Sequence, residues 1–490
     1  LNAIHLRRHE TTLLPDSKRV IVLPFIPIET QNVTTIIDRA LALPEEDVAG
    51  ELKSLRHEFE DRHIDIESKW LAQFEKVSQH GLTHRPLSRE RKWLIGALFS
   101  GEYSLESAGL FNPSIVPHPD QGDAPEGGLR FIMSLRATGE RHISSIEFRS
   151  GAIAAEGRLT FDPVSRLVTE PRILSDPTYQ KRRFRIELLE MGVDEQHVQA
   201  VLAPLGDRFR RSDLDKSADA CRHETHPATH ELFHALDCIQ WLADSNSELR
   251  FPDNLTVCER AIIPVSAIES NGIEDARFVR FVDDDATVTY YATCTAYNGQ
   301  DILPELIRTD NFLRFDRVPL KGDAVQNKGM ALFPRRINGR YFMLSRQDGE
   351  NLFIMSSHSL HHWSSPRVIL RPHAEWESVK VGNCGSPMET EAGWLVITHG
   401  VGPMRKYSIG AALLDLDDPA KVIGRLGEPL LCAEGDERNG YVPNVVYSCG
   451  SLIHGRELIL PYGISDWATS VANVSLDDLL AELQANPTEC

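Results

Sequence analysis

The hydrophobic pattern changes period several times along the chain. Residues 1–30 hold two short strand-like runs, of which Arg19-Val-Ile-Val-Leu-Pro-Phe25 is the clearer. From about 33 to 100 the period is helical. Val33-Thr-Thr-Ile-Ile-Asp-Arg-Ala-Leu-Ala-Leu43 repeats apolar residues at three- and four-residue spacing, and a charged amphipathic stretch follows over 45–80. Ser88 stands where it can cap a further helix in Leu87-Ser-Arg-Glu-Arg-Lys-Trp-Leu-Ile-Gly-Ala-Leu-Phe99. From about 105 the texture is one of short strands broken by Gly, Pro, Asn and Asp. Examples are Gly128-Leu-Arg-Phe-Ile-Met-Ser-Leu-Arg136, Val288-Thr-Tyr-Tyr-Ala-Thr-Cys-Thr-Ala-Tyr297 and Gly393-Trp-Leu-Val-Ile-Thr-His399. A helical island over about 176–245 interrupts them, and a last helix covers Leu476-Asp-Asp-Leu-Leu-Ala-Glu-Leu483. The pattern predicts three parts: 1–104 with strands and a helical appendage, a mainly β part over 105–475, and a C-terminal helix and tail over 476–490. Many short strands at regular spacing predict a sandwich or a propeller.

A chain of 490 residues is too long for one ordinary core, which predicts two or three folding units. With 41% hydrophobic and 25% charged residues, and no apolar run near the roughly 18 residues of a membrane span, the composition is that of a soluble globular protein. The first residues lack the basic-then-apolar pattern of a secretory signal. The eight cysteines are scattered and form no Cys-x-x-Cys pair, as buried thiols in a reducing compartment would be. A cytoplasmic location is the resulting expectation. The net charge of −19 opposes nucleic-acid binding, which depends on neutralising phosphates, but leaves room for a small anion in a local basic pocket.

Two motifs carry candidate chemistry. His230-Glu-Leu-Phe-His234 fits a zinc pattern with Glu231 as base, in a segment that also holds His223 and His226. The extension that would make it a peptidase needs a glycine and a third histidine where Asp237 and Gln240 stand, so no metal is expected; Glu248 is a third ligand only if the helix turns back. The second motif, Asn271-Gly-Ile-Glu-Asp-Ala-Arg277, sets an acid pair and an arginine at the start of a strand. Strand alternation predicts that Glu274 and Asp275 point to opposite sides and that Arg277 shares the side of Asp275. Far downstream, Arg346, Lys380, His399 and Arg405 lie at or beside Gly-rich or aromatic strand ends, where an anion pocket and a set of plain surface charges are both open readings.

These residues resemble a known family. Asn112-Pro-Ser-Ile-Val116, Gly272-Ile-Glu-Asp-Ala-Arg277, Leu332-Phe-Pro-Arg-Arg-Ile-Asn-Gly-Arg-Tyr-Phe-Met-Leu-Ser-Arg346, Gly393-Trp-Leu-Val-Ile-Thr-His-Gly400 and Pro461-Tyr-Gly-Ile-Ser-Asp466 look like glycoside hydrolase family 130, over roughly 105–475. The resemblance implies a five-bladed β-propeller with an N-terminal helical region and a helical insertion. It implies Asp275 as proton donor, relaying through the 3-hydroxyl of a mannose, and Arg346, Lys380 and His399 as phosphate contacts, with Arg405 and Tyr407 as further candidates. Asn112, Arg136, His142, Arg277 and Asp466 would lie near the substrate. Two departures stand out: Ala276 replaces a proline common in relatives, and Arg141, before His142, takes a small-residue position.

The family contains phosphorylases and hydrolases. An inverting hydrolase needs a second carboxylate, about 6.5–9.5 Å from the acid, to activate water. Glu389, Glu391 and Glu434 are candidates for it, with Glu389 and Glu391 also readable as turn residues. A phosphorylase needs cations instead, because phosphate is already anionic. The expectation is inverting phosphorolysis of a β-mannoside, β-1,2-linked, to α-mannose 1-phosphate. Inorganic phosphate would be co-substrate, with no metal or organic cofactor, and the helical additions would form homo-oligomer contacts or a lid. A β-1,2-mannosidase and a non-catalytic glycan-binding propeller are the alternatives.

Overall fold

The computed structural model describes residues 4–78, 86–173, 178–224, 229–245, 247–264, 269–300 and 302–487. His226 and Cys490 lie outside them, as does the side chain of His230.

The amphipathic front section forms four helices, Thr30–Ala42, Glu45–Phe59, Ile66–Ser78 and Arg89–Leu98. The first buries Val33, Ile37 and Ala40, the i, i+4, i+7 stripe that its spacing predicts. Ser88 caps the fourth by accepting a hydrogen bond from the Arg91 amide at 3.1 Å. That helix crosses the third at Gly96, where a β-carbon would sit 1.8 Å from the Trp70 carbonyl oxygen, so only glycine permits the approach. The insertion folds around a core of its own. Helices Lys181–Glu190, Glu195–Leu202, Arg211–Glu224 and His230–Ser245 enclose Phe184, Leu188, Val201 and Ile239.

Five larger antiparallel sheets make up the rest. The first contains Gly109–Pro117, Leu129–Thr138 and Ser144–Ile153; the second contains Ile273–Val282, Val288–Tyr297, Ile302–Thr309 and Arg314–Pro319. Tyr341–Ser345 and Leu352–Ser357 are central to the third, and Lys380–Asn383, Gly393–Val401 and Tyr407–Leu414 belong to the fourth. The fifth pairs Glu457–Ile464 with Ala468–Ser475 and takes Leu6–Arg8 from the N-terminus as its edge. The C-terminal helix Leu476–Ala485 covers the fourth and fifth sheets with Leu476, Leu479, Leu480 and Leu483.

The expectation of a mainly β, five-bladed propeller is corrected by this architecture. The fold is mixed α/β, with several open sheets and helices, and among the described residues no sheet is closed into a barrel or propeller or strongly curled. Alternation specifies which residues face a sheet's neighbours, but it carries no term for how sheets are joined, and the helices are too extensive to be appendages. Among the described residues no helix is long and apolar enough to cross a membrane.

A buried charge cluster ties the N-terminus to the first sheet. Arg19, with no solvent exposure, pairs with Glu106 at 2.8 Å and Glu147 at 2.6 Å, and donates to the Cys258 carbonyl at 2.6 Å. Arg149 shares both carboxylates. Removing one partner strands the others in low dielectric, so Arg19→Met should cost about 3–5 kcal/mol. The denaturant midpoint should fall accordingly, with an unchanged transition slope.

Candidate active site

All five sheets send residues to one cavity of about 120 Å³. The first supplies Asn112, the second Asp275, and Arg346 follows the central strand of the third. Lys380, Tyr407 and the adjoining Arg405 come from the fourth, and Tyr447 and Asp466 from the fifth.

Asp275 owes its aim to a bulge. Its strand gains one residue between Glu274, opposite Thr295, and Arg277, opposite Thr293. Asp275 adopts φ +55° there. The same irregularity recurs between Phe111 and Ser114, where Asn112 has φ +49°. Asn and Asp tolerate this left-handed conformation better than other side-chain-bearing residues. The paired bulges bring the side chains together, and Asn112 Nδ2 donates to Asp275 Oδ1 at 2.7 Å.

The bulge also corrects the alternation argument. Glu274 and Asp275 do not diverge: Arg136 donates to Glu274 Oε1 at 2.8 Å and lies 3.6 Å from Asp275 Oδ1. Lys328 pairs with the other oxygen of Glu274. Arg277, fully buried, lies 3.6 Å from Asp275 Oδ2 and donates to the Tyr447 hydroxyl at 2.8 Å. Burial pushes the Asp275 carboxyl up, but Arg136, Arg277 and the Asn112 hydrogen bond outweigh it and hold the group below the usual carboxylate range. Asp275 is therefore a carboxylate at neutral pH.

Asp466 behaves oppositely. It sits at φ +53° in the tight connection between Glu457–Ile464 and Ala468–Ser475. Burial and the negative charges of Asp275 and Glu274 push it up to about 6, against the pull of Arg136 and Arg405.

Across the cavity stands the cationic group. Arg346 Nη1 donates to His399 Nε2 at 2.9 Å, which makes that nitrogen the acceptor. Burial first, then Arg346, Lys380 and Arg277, hold the imidazole far below its ordinary value, so His399 is neutral. Its ring packs edge-on to Tyr447 at 4.9 Å, and Lys380 Nζ lies 5.2 Å over the ring of Tyr407. Gly382 underlies the pair, since a β-carbon there would fall 2.6 Å from His399 Cε1 and 3.0 Å from Arg346 Cδ. Arg346 Nε and Asn112 Oδ1 are buried without a hydrogen-bond partner among the described residues.

His142 does not line the cavity; it is exposed and stacks on Tyr441 at 4.6 Å. Its connection, Gly139–Ile143, has the same five-residue form as Gly402–Lys406, which carries Arg405 in the matching place. The three alternative bases stand away from the cavity. Glu389 binds Arg335 at 2.7 Å, Glu391 lies 3.7 Å from Arg456, and Glu434 lies 3.3 Å from Arg8. Among the zinc candidates, His234 is exposed with Nδ1 3.4 Å from Cys238 Sγ, and Glu248 pairs with Arg314 at 2.9 Å.

A family model described as β-1,4-mannooligosaccharide phosphorylase matches residues 242–485. A 1,2-β-oligomannan phosphorylase of Thermoanaerobacter sp. (strain X514) is 37% identical over 216 residues, which cover 43% of this chain and 71% of that protein. The chain belongs to glycoside hydrolase family 130. It is an enzyme of that family. The β-1,2-mannobiose phosphorylase of Listeria innocua serovar 6a is 28% identical over 338 residues, 67% of this chain and 86% of that protein. A solved structure of the Listeria innocua β-1,2-mannobiose phosphorylase in complex with β-1,2-mannobiose overlays with a TM-score of 0.48 at 24% identity, covering 78% of this chain and 94% of that one.

Within this family 130 enzyme, sequence reasoning missed Tyr447 and Lys328. Tyr447 ends Val442-Pro-Asn-Val-Val-Tyr447, an apolar run that reads as core, and Lys328 sits in a polar loop with no motif around it. Only the fold brings them to Arg277 and Glu274. A hydrogen bond to a carboxylate favours the ionised form. Asn112→Ala should therefore raise the Asp275 pKa, measured as an upward-shifted carboxyl titration by carbon NMR.

Proposed function

We propose that this enzyme phosphorolyses β-mannosides, β-1,2-linked manno-oligosaccharides in particular, releasing α-mannose 1-phosphate with inversion. One observation carries the reading: the buried Asp275 carboxylate faces Arg346, Lys380 and Arg405 across one small cavity, with neutral His399 bonded to Arg346. An oxygen of hydrogen phosphate, held by those cations, attacks the anomeric carbon as the bond to the leaving oxygen breaks on the opposite face, and the proton that hydrogen phosphate loses ends on the departing alcohol. Asp275 and Asn112 orient the sugar on the leaving side. The unpartnered Arg346 Nε and Asn112 Oδ1 are groups that a phosphate oxygen and a sugar hydroxyl would satisfy. The relatives named as β-1,2-mannobiose and 1,2-β-oligomannan phosphorylases support the same linkage.

Hydrolysis is the weaker reading, because Glu389, Glu391 and Glu434 are engaged elsewhere. Metal and organic cofactors have no step to perform in this scheme. Incubation with β-1,2-mannobiose should yield sugar phosphate only when phosphate is present; free mannose alone would indicate hydrolysis, and no product a binding protein. Asp275→Asn should lower turnover by about 10²–10⁴-fold with the fold intact. Arg346→Ala should act mainly through a raised KM for phosphate, the signature of lost anion binding.

A further inference from the structure

Away from the reaction cavity, the second sheet carries a row of polar side chains on one face. Tyr291, Arg308, Asp316 and Glu248 are direct cross-strand partners over the neighbouring strands Val288–Tyr297, Ile302–Thr309, Arg314–Pro319 and Ser247–Arg250. Direct partners share a face, so the four stand side by side. They line two cavities of about 340 and 260 Å³, which have Arg183, Arg308, Asp316 and Val318 in common and so form one trough. The helical insertion walls one side with Gln180, Phe184 and Glu187, and Tyr341 and His361 close the end toward the third sheet. No residue of the row lines the cavity of Asp275, whose strand lies three strands, or roughly 14 Å, from that of Asp316.

We propose that this trough is a second saccharide site, which holds a neutral β-manno-oligosaccharide apart from its reacting end. The choice of mannosides rests on the phosphorolytic reading above; the choice of a neutral sugar rests on the trough itself.

Its charges are arranged against simple ions. Arg183 is held by Glu187 at 2.9 Å and His361 at 3.0 Å, and Arg314 by Glu248 at 2.9 Å. An anion would meet Asp316 and Glu248, and a cation would meet Arg308 and Arg183. Hydrogen-bonding capacity nevertheless remains. Arg308 and Asp316 oppose one another across the ladder without forming an ion pair, and Arg308 lies 3.9 Å from the exposed Asp310. The Asp316 carboxyl and the Tyr291 hydroxyl take part in no hydrogen bond or ion pair among the described residues. A sugar hydroxyl donates its hydrogen to a carboxylate and accepts at its oxygen from a guanidinium, so neighbouring hydroxyls satisfy both signs at once. Tyr291 and Tyr341, each packed on Phe281 at centroid distances of 5.6 and 5.7 Å, add apolar ring surface for the C–H face of a pyranose. The combined space falls within the roughly 300–1,000 Å³ of small-ligand sites.

A second point of attachment changes how chain length is read. An oligosaccharide long enough to occupy both sites gains affinity from the linkage between them, whereas mannobiose is too short to occupy both. The trough therefore favours long substrates without touching the reacting bond.

Two measurements test this, one independent of turnover. In hydrogen-exchange mass spectrometry without phosphate, β-1,2-mannohexaose should slow exchange in Arg314–Pro319 and Lys181–Glu190 as well as in Ile273–Val282. In Asp316→Ala the slowing should vanish from the first two and remain in the third. In turnover, the KM for mannohexaose should rise about three- to tenfold in Asp316→Ala, with kcat/KM for β-1,2-mannobiose unchanged. Arg308→Ala should give the same pair of results, which guards against a folding defect in either variant.

Exchange slowed in Ile273–Val282 alone, or nowhere, would overturn the proposal, as would a KM that rises equally on both substrates. Slowed exchange in the trough combined with no sugar phosphate from mannobiose in the wild type would refute the phosphorolytic reading and leave the trough as a saccharide site.

Discussion

A carboxylate removed from water persists only where charge and hydrogen bonds replace its hydration, and Asp275 is this molecule's central case. Its replacements come from separate places in the chain: Asn112 and Arg136 from the first sheet, Arg277 from two residues along its own strand. Each partner is itself held. Arg136 donates to the Ser144 hydroxyl at 2.8 Å, and Arg277 to Tyr447 and to the Asp275 carbonyl at 3.0 Å. The buried carboxylate is thus a clamp that fixes the first, second and fifth sheets around one point.

Four residues in the left-handed region of backbone space meet at the same place. Asn112, Asp275, Arg405 and Asp466 all have positive φ, at 49°, 55°, 56° and 53°. Such conformations cost about 1–3 kcal/mol each for a residue with a side chain and persist only where surrounding structure determines them. Here two are strand bulges and two are tight connections, and in every case the side chain is turned into the cavity at a strand end. The stiff sheets bear the strain, and a small polar cavity with opposed charges results.

The cationic side follows a different logic. His399 could have been a third positive charge beside Arg346 and Lys380, but burial and those neighbours keep it neutral. As a hydrogen-bond acceptor it orients Arg346 without adding a further positive charge beside it. Gly382 allows the two side chains to approach, so a glycine in an otherwise ordinary strand becomes part of the proposed anion site. A larger cavity of about 340 Å³ between the insertion and the second sheet shows the contrast. Its Arg183, Arg314 and Arg317 are already paired with Glu187, Glu248 and Glu305.

Much of this was legible in the residues alone. Apolar spacing located the front helices, the insertion and the short strands, because periodicity reports directly which face each element buries. Motifs carried the resemblance to family 130 and pointed to Asp275, Arg346, Lys380 and His399, which the fold does bring together. The sheet assembly was not legible: strands pair locally, but the mixed, open arrangement depends on contacts between distant segments that leave no period. Nor was the joint aim of Glu274 and Asp275, since one extra residue in a strand reverses the alternation from which sides are inferred. Tyr447 and Lys328 acquired roles only through proximity. Residue types and spacing determined which chemistry the chain could hold. Tertiary structure alone decided which of two aspartates holds a proton more tightly, because that depends on how many cations and donors the fold delivers to each.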